Sequence, residues 1–310
     1  MEPVQQTRLT LRGWLLMAAL AGIWGGSFTA NHAALAAVPV ASVVAARVLG
    51  AALALWAFVA LSRLPVPRDR SFVITCLGLG LFNVALPFSL IVWAQSHVAS
   101  GLAGILNAGT ALFTVLLAAL VFPDERLTAN RLLGVLLGLG GVAIIVGPAA
   151  LTQMDLTSLG QLAILLAGVS YAGASVFGRH RLRGIRPEVS AAGMLTVGAA
   201  IMVPAALILD GLPTRLPPPT ALAALAYLAL LASALAYRLY YTILAQAGAG
   251  NLGLVTLLIA PLAVLFGRIA FGESLPPEAV LGLALLSLGM ILLDGRLIRR
   301  LFRPTRPRRP

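Results

Sequence analysis

The sequence predicts an all-α integral membrane protein, with ten transmembrane helices arranged as two inverted-topology five-helix repeats. Three observations carry that expectation. Hydrophobic residues make up 60% of the 310 positions and charged ones 10%, whereas a soluble domain carries about 25% charged residues; mean hydropathy is +0.97. The arginines collect in alternate loops, and residues of the first half recur 148 positions later in the second.

The apolar blocks match the ~20 residues that cross a ~30 Å hydrocarbon core at ~1.5 Å per residue. In chain order the spans are 13–31, 40–61, 72–93, 101–121, 131–147, 160–178, 189–209, 220–241, 251–271 and 278–294. Connections such as "RLPVPRD", "FPDERLTAN" and "GLPTRLPPP" carry the proline, glycine and capping residues that end helices. The first block, with arginines before it and small residues after it, has the look of a secretory signal. Its repeat mate, 160–178, lies deep inside the chain, so it is expected to remain as a span.

All 22 basic residues are arginine, against 10 acids, giving a net charge of +12. In a soluble protein such an excess would suggest nucleic acid. Here 18 of the arginines lie before the first span, in alternate loops or after the last span, and the opposite loops hold only Arg215. The positive-inside rule then predicts both termini in the cytoplasm and a multi-pass protein of the cell (inner) membrane. No nucleic-acid partner is expected. The basic tail, 295–310, is expected to rest on anionic lipid.

The offset of 148 pairs Glu125, Gly134 and Gly141 with Glu273, Gly282 and Gly289. It also pairs Gly25 with Gly173, Ser27 with Ser175, Pro39 with Pro187 and Gly50 with Gly198. These matches divide the chain into a first repeat, 13–147, and a second, 160–294. Five spans per repeat is an odd number, so the second must enter the membrane from the opposite side. Two inverted halves can rock between inward-open and outward-open arrangements around a site on their interface.

The residues "WGGSF" at 24–28, Pro39 followed by Arg47, Phe122-x-x-Glu125 with Leu127-Thr128, and "FGESL" around Glu273 resemble the two EamA repeats. Those repeats define the ten-helix members of the drug/metabolite transporter superfamily. The resemblance spans about 13–294 and implies a transporter of small metabolites, often an exporter of amino acids or related compounds. The second half departs from it, with Tyr171-Ala172 near the place of Trp24-Gly25 and no arginine to match Arg47. Gly109-Thr110 stands where a proline is usual, whereas Pro261 is present in the second half.

Polar side chains in a span usually face the protein interior or a water-filled cavity. Trp24, Ser27 and Asn31 share one helical face, as do Tyr171 and Ser175, and Asn107, Thr110 and Thr114. Ser89 and Trp93 match Tyr237 and Tyr241 under the offset. Together they outline a substrate cavity; the alternative is hydrogen-bonding glue between helices and, for Trp93 and Tyr241, interfacial belts. Pro87 cannot donate to the Asn83 carbonyl, which predicts a kink facing the interior and adds Asn83 to the candidates. Arg47 lies about 10 Å into the core. It either docks a substrate carboxylate or plays a structural part, the reading favoured here, paired with Glu273, Glu278 or Asp210 or bonded to carbonyls. Arg238 and Arg268, near helix ends, are expected to snorkel. Glu125 and Glu273 are expected to cap the helices that follow them, and Gly134 and Gly282 to mark close helix contact.

No span holds a carboxylate near its middle, which disfavours a proton-coupled pump built on a buried glutamate. There is no GxxxxGK[ST] for ATP and no HExxH. His32 and His97 stand beside helix ends without a third ligand, and Cys76 is the sole cysteine, so no metal and no cofactor is expected. The expectation is a secondary transporter, not an enzyme, exporting a small polar metabolite such as an amino acid by alternating access. An importer and a non-transporting scaffold or enzyme are the alternatives.

Overall fold

The computed structural model describes residues 10–98, 100–146, 151–152, 154–155, 158–212, 215–259, 261–262 and 278–294. Arg268, Glu273 and the tail 295–310 fall outside them. Backbone groups in lipid must find partners within the chain, and among the described residues every regular element is helical. In the first half α1 is Leu11–Leu35, α2 Val40–Leu61 and α3 Arg70–Ala94. Helix α4 runs over Ser100–Ala108 and, past a break at Gly109, Thr110–Val121, and α5 is Ala129–Val146. In the second half α6 is Leu159–Arg181, α7 Pro187–Leu209 and α8 Pro219–Ala247. There α9 covers Ala249–Ile259 and α10 Glu278–Asp294. The ten expected spans thus meet seven helices long and apolar enough to cross a membrane, α1–α4 and α6–α8, and three shorter apolar ones.

Helix starts follow local chemistry. Thr10 Oγ1 accepts from Gly13 N at 3.1 Å and Asp69 Oδ2 from Phe72 N at 3.1 Å, each taking up an otherwise orphaned donor. Thr128 Oγ1 does the same for Arg131 N at the start of α5. Pro187 and Pro219 open α7 and α8, where a missing N–H costs nothing.

The halves pack by symmetry. Helix α2 lies against its repeat mate α7 and α5 against α10, while α1 on α8 mirrors α6 on α3. Ser42 N and Oγ both donate to Asp210 Oδ2 at 2.7 Å, and Trp56 Nε1 donates to Thr196 Oγ1 at 2.7 Å. Fourteen residues forward along α2 therefore meet fourteen back along α7, so the mates run antiparallel. The α5–α10 pair does the same through glycines. A Cβ on Gly134 would stand 2.8 Å from Gly289 O, and one on Gly141 2.7 Å from Gly282 O and 2.6 Å from Leu286 N. First glycine meets second glycine in both directions, the signature of an in-plane two-fold axis.

Two helices are interrupted at matching places by π-helical turns, Leu81–Ala85 in α3 and Tyr227–Leu235 in α8. The cause in α3 is Pro87, which leaves the Asn83 carbonyl without its helical donor; the Tyr237 hydroxyl donates to that carbonyl at 2.7 Å.

The glycine contact is testable by heat. Gly141→Leu brings side-chain atoms onto backbone that cannot retreat and is expected to destabilise by about 1–3 kcal/mol or more, lowering the melting temperature in detergent. Gly173→Ala, which meets nothing within 4 Å, is expected to be neutral or slightly stabilising, since alanine favours helix over glycine. Equal melting temperatures for the two variants would contradict the α5–α10 seam.

Candidate functional site

A cavity lies between the repeats, walled by α1, α2, α3 and α4 of the first and by α6, α8 and α9 of the second. Its free volume is about 80 Å³, room for a few waters at roughly 10–15 Å³ each. Helix α1 is unbroken, and it presents Trp24, Ser27 and Asn31 together on the cavity wall. Arg47 comes from α2, Asn107, Thr110 and Thr114 from α4, and Tyr171 and Ser175 from α6.

Five expected site residues stand elsewhere. Asn83 is fully buried behind the wall, its Nδ2 3.4 Å from both Met194 Sδ and Tyr241 Oη. Tyr237 and Tyr241 form a buried cluster with Tyr240, at ring centroids 5.6 and 5.1 Å from it. Trp93 is 37% exposed and lies tilted against His97, with ring centroids 4.5 Å apart. Ser89, too, turns away, toward Met202 of α7. The wall is supplied instead by Phe88, Ile91 and Val92 of α3 and by Tyr240 of α8. A π turn adds a residue to the helical circuit and re-aims the face beyond it, so the polar stripe is not the lining stripe in either helix. One signal was available: Tyr240 and Val92 are mates under the 148-residue offset.

Hydroxyls on the wall are mostly committed. Ser27 Oγ donates to Trp24 O at 2.6 Å and Thr114 Oγ1 to Thr110 O at 2.7 Å. Ser175 Oγ lies 2.7 Å from Tyr171 O and 2.6 Å from Tyr240 Oη. Two buried polar atoms on the wall have no partner, Asn31 Oδ1 and Thr110 Oγ1. Asn31 Nδ2 donates to Gln95 Oε1 at 3.0 Å.

Arg47 is 4% exposed. Its Nε donates to Ser233 Oγ at 2.7 Å and Nη2 to Ala232 O at 3.0 Å, and the guanidinium sits 3.9 Å over the Phe88 ring. Ala232 lies in the π turn of α8, and its carbonyl also accepts from Trp24 Nε1 at 3.1 Å. Among the described residues no carboxylate pairs with Arg47. Asp210, a proposed partner, is turned to Ser42, and the bonds are to a carbonyl and a hydroxyl.

One end of the molecule is tied by charge. The Glu125 side chain is 1% exposed. It accepts from Ala249 N at 2.8 Å and Gly250 N at 2.6 Å, the first turn of α9, after Gly248 at φ +84°. Arg179 of α6 bonds to both Glu125 and Asp124 and lies 4.3 Å from the Phe122 ring centroid; Arg131 Nη2 approaches Glu125 at 3.5 Å. Glu125 therefore caps a helix of the opposite repeat. The expectation that it caps the following helix is corrected: Thr128 holds that place at α5. The same end carries a further ion pair, Arg238 Nε to Glu188 Oε1 at 2.8 Å, so Arg238 is paired as well as half-exposed. All four ion-pair contacts among the described residues gather here.

Comparison with known proteins agrees with this architecture. The model of the EamA-like transporter family matches residues 11–147 and again 158–293. A probable terminal-alkyne amino-acid exporter of Streptantibioticus cattleyicolor is 28% identical over 279 residues, 89% of this chain and 91% of its own. A probable amino-acid metabolite efflux pump of Escherichia coli K12 is 26% identical over 87% of this chain and 90% of its own. The uncharacterized inner membrane transporter YedA of the same strain is 26% identical over 87% and 86%. A solved crystal structure shares the fold at a TM-score of 0.76 with 22% identity, covering 94% of this chain and 99% of that one. With two family repeats, antiparallel mates and a cavity between them, the chain belongs to the EamA-like transporter family, whose relatives here are named as transporters and exporters rather than enzymes.

Proposed function

We propose that this multi-pass membrane protein exports a small polar metabolite, an amino acid or a related compound, by alternating access at the cavity between its repeats. The observation that carries this reading is a polar-aromatic cavity walled by both halves and tied at one end by the ion pairs around Glu125. The arginine distribution supports reading that end as the cytoplasmic one, with both termini on the same side and the basic tail against anionic lipid. The relatives named as amino-acid exporter and metabolite efflux pump support the direction and the solute class. On this reading a solute enters the cavity, whose free volume is about 80 Å³, as the halves part.

Symmetry suggests why the Glu125 end is held. Its basic members, Arg179 and Arg131, have Asn31 and Ala279 as their repeat mates, and the mate of Arg238 is Leu90. At these three repeat-related positions the opposite closure has no cation, which favours a resting balance that leans toward a shut cytoplasmic end. Leaving a buried ion without its partner costs about 3–5 kcal/mol, enough to move a two-state balance about a hundredfold.

Two experiments test the proposal. Cells with and without the protein are compared by profiling small molecules in medium and cytosol. Wild type is expected to raise at least one amino acid or related metabolite outside. Ser27→Trp, which fills the cavity, is expected to abolish that rise at equal membrane abundance; undiminished export would contradict the cavity assignment. In the second, Thr110→Cys in a Cys76→Ala background is labelled with a membrane-impermeant thiol reagent from either side. Labelling is expected from outside in the parent and to shift toward the cytoplasmic side with Glu125→Gln. An unchanged side preference would sink the idea that Glu125 holds that end.

A further inference from the structure

We infer that the cavity selects its solute by charge, taking a molecule with one carboxylate and no net positive charge, and that Arg47 is the specificity-determining residue. This inference rests on the transport reading and deepens it.

Among the described residues that line the cavity, Arg47 is the one that is charged. A guanidinium offers five N–H donors and is never deprotonated. Two bonds are made, to Ser233 Oγ and Ala232 O, and both acceptors are neutral. Among the described residues the charge therefore has its position fixed without being cancelled, and Nη1 makes no hydrogen bond. Phe88 lies against one face of the plane, which leaves the edge of the fork for a partner. A buried ion without a counter-ion is costly; an incoming carboxylate supplies that counter-ion and can accept two parallel N–H bonds. Here the missing partner is the solute.

The rest of the wall says what else the solute carries. Trp24, Tyr171 and Tyr240 offer aromatic surface, which can attract a cation. Among the described residues no acid lines the cavity to balance one, and Arg47 repels it. The two unpartnered atoms, Asn31 Oδ1 and Thr110 Oγ1, are neutral acceptors suited to an amino or hydroxyl group. They can hold the ammonium of a zwitterion whose negative end is on Arg47, but not a second positive charge. The repeat mate of Arg47 is Leu195, so the cavity has one anion point rather than a symmetric pair. Zwitterionic α-amino acids and simple monocarboxylates fit; amides, esters and dibasic amino acids do not.

The test is binding to the purified full-length protein, read as thermal stabilisation across a ligand series. The probes are the neutral standard amino acids, their carboxamides, 4-methylpentanoate and lysine, on wild type, Arg47→Gln, Arg47→Lys and Ser233→Ala. At least one neutral amino acid is expected to stabilise wild type, with its carboxamide binding at least tenfold more weakly and lysine not at all. Arg47→Gln is expected to remove the preference for carboxylate over carboxamide. Arg47→Lys keeps the preference at reduced affinity, and Ser233→Ala, which frees Nε while leaving the charge, weakens binding a few-fold without changing selectivity. The lysine and Ser233 variants keep the test decisive if Arg47→Gln does not fold. Equal binding of acid and amide to wild type, or no binding by any carboxylate, overturns the inference. A metabolite still exported in the profiling experiment would in that event leave the transport reading standing, and loss of export with intact charge selection would do the reverse.

Discussion

An interrupted helix inside a membrane must find partners for the backbone groups it frees, and here the partners come from the opposite repeat. The Asn83 carbonyl, released by Pro87 in the first half, is taken by Tyr237 of the second; Phe82 O is taken by Ser170. In the other direction, Ala232 O in the π turn of α8 is taken by Trp24 and Arg47 of the first half. The free N–H groups of Ala249 and Gly250 are taken by Glu125. In both directions, groups freed in the broken helices of one half are taken up by the other.

That exchange explains why the polar chemistry collects between the repeats. Along the α2–α7 and α5–α10 seams the mates meet through small residues and a few hydrogen bonds. Around the cavity the contacts are aromatic, hydroxyl and cationic, and Trp24 and Arg47 reach a carbonyl that regular helix would have hidden. Such contacts differ in strength. A neutral hydrogen bond between membrane helices is worth about 0.6 kcal/mol, whereas the buried carboxylate at Glu125 is held by two amides and two arginines. Among the described residues the stronger tie sits at one end, which on the proposed mechanism gives the two arrangements unequal energies.

The sequence exposed the fold because hydropathy and an exact 148-residue offset survive any detail of packing. Glycines at 134, 141, 282 and 289 were readable as contact points, since close approach demands the smallest side chain. The stripe Trp24, Ser27 and Asn31 was readable because α1 keeps a regular period from end to end. Helices α3 and α8 were not: the π turns at Leu81–Ala85 and Tyr227–Leu235 turn Tyr240 and Val92 inward and Trp93 outward, and no periodic template anticipates that. The partners of Glu125 were hidden for another reason. They lie 54 and about 125 residues away, so its local setting, in front of α5, pointed to the wrong helix.

The central claim, that the halves rock about a cavity tied at the Glu125 end, is tested most directly by distances in a bilayer. Spin labels on Leu120 and Gln246 would bracket the Glu125 end, and labels on Ala37 and Leu222 the Asn31 end, in a Cys76→Ala background. The account predicts one dominant, short distance at the Glu125 end of the wild type. With Arg179→Gln it predicts a lengthening there matched by a shortening at the other end. Two ends that stay fixed, or that open together, would contradict alternating access in this protein.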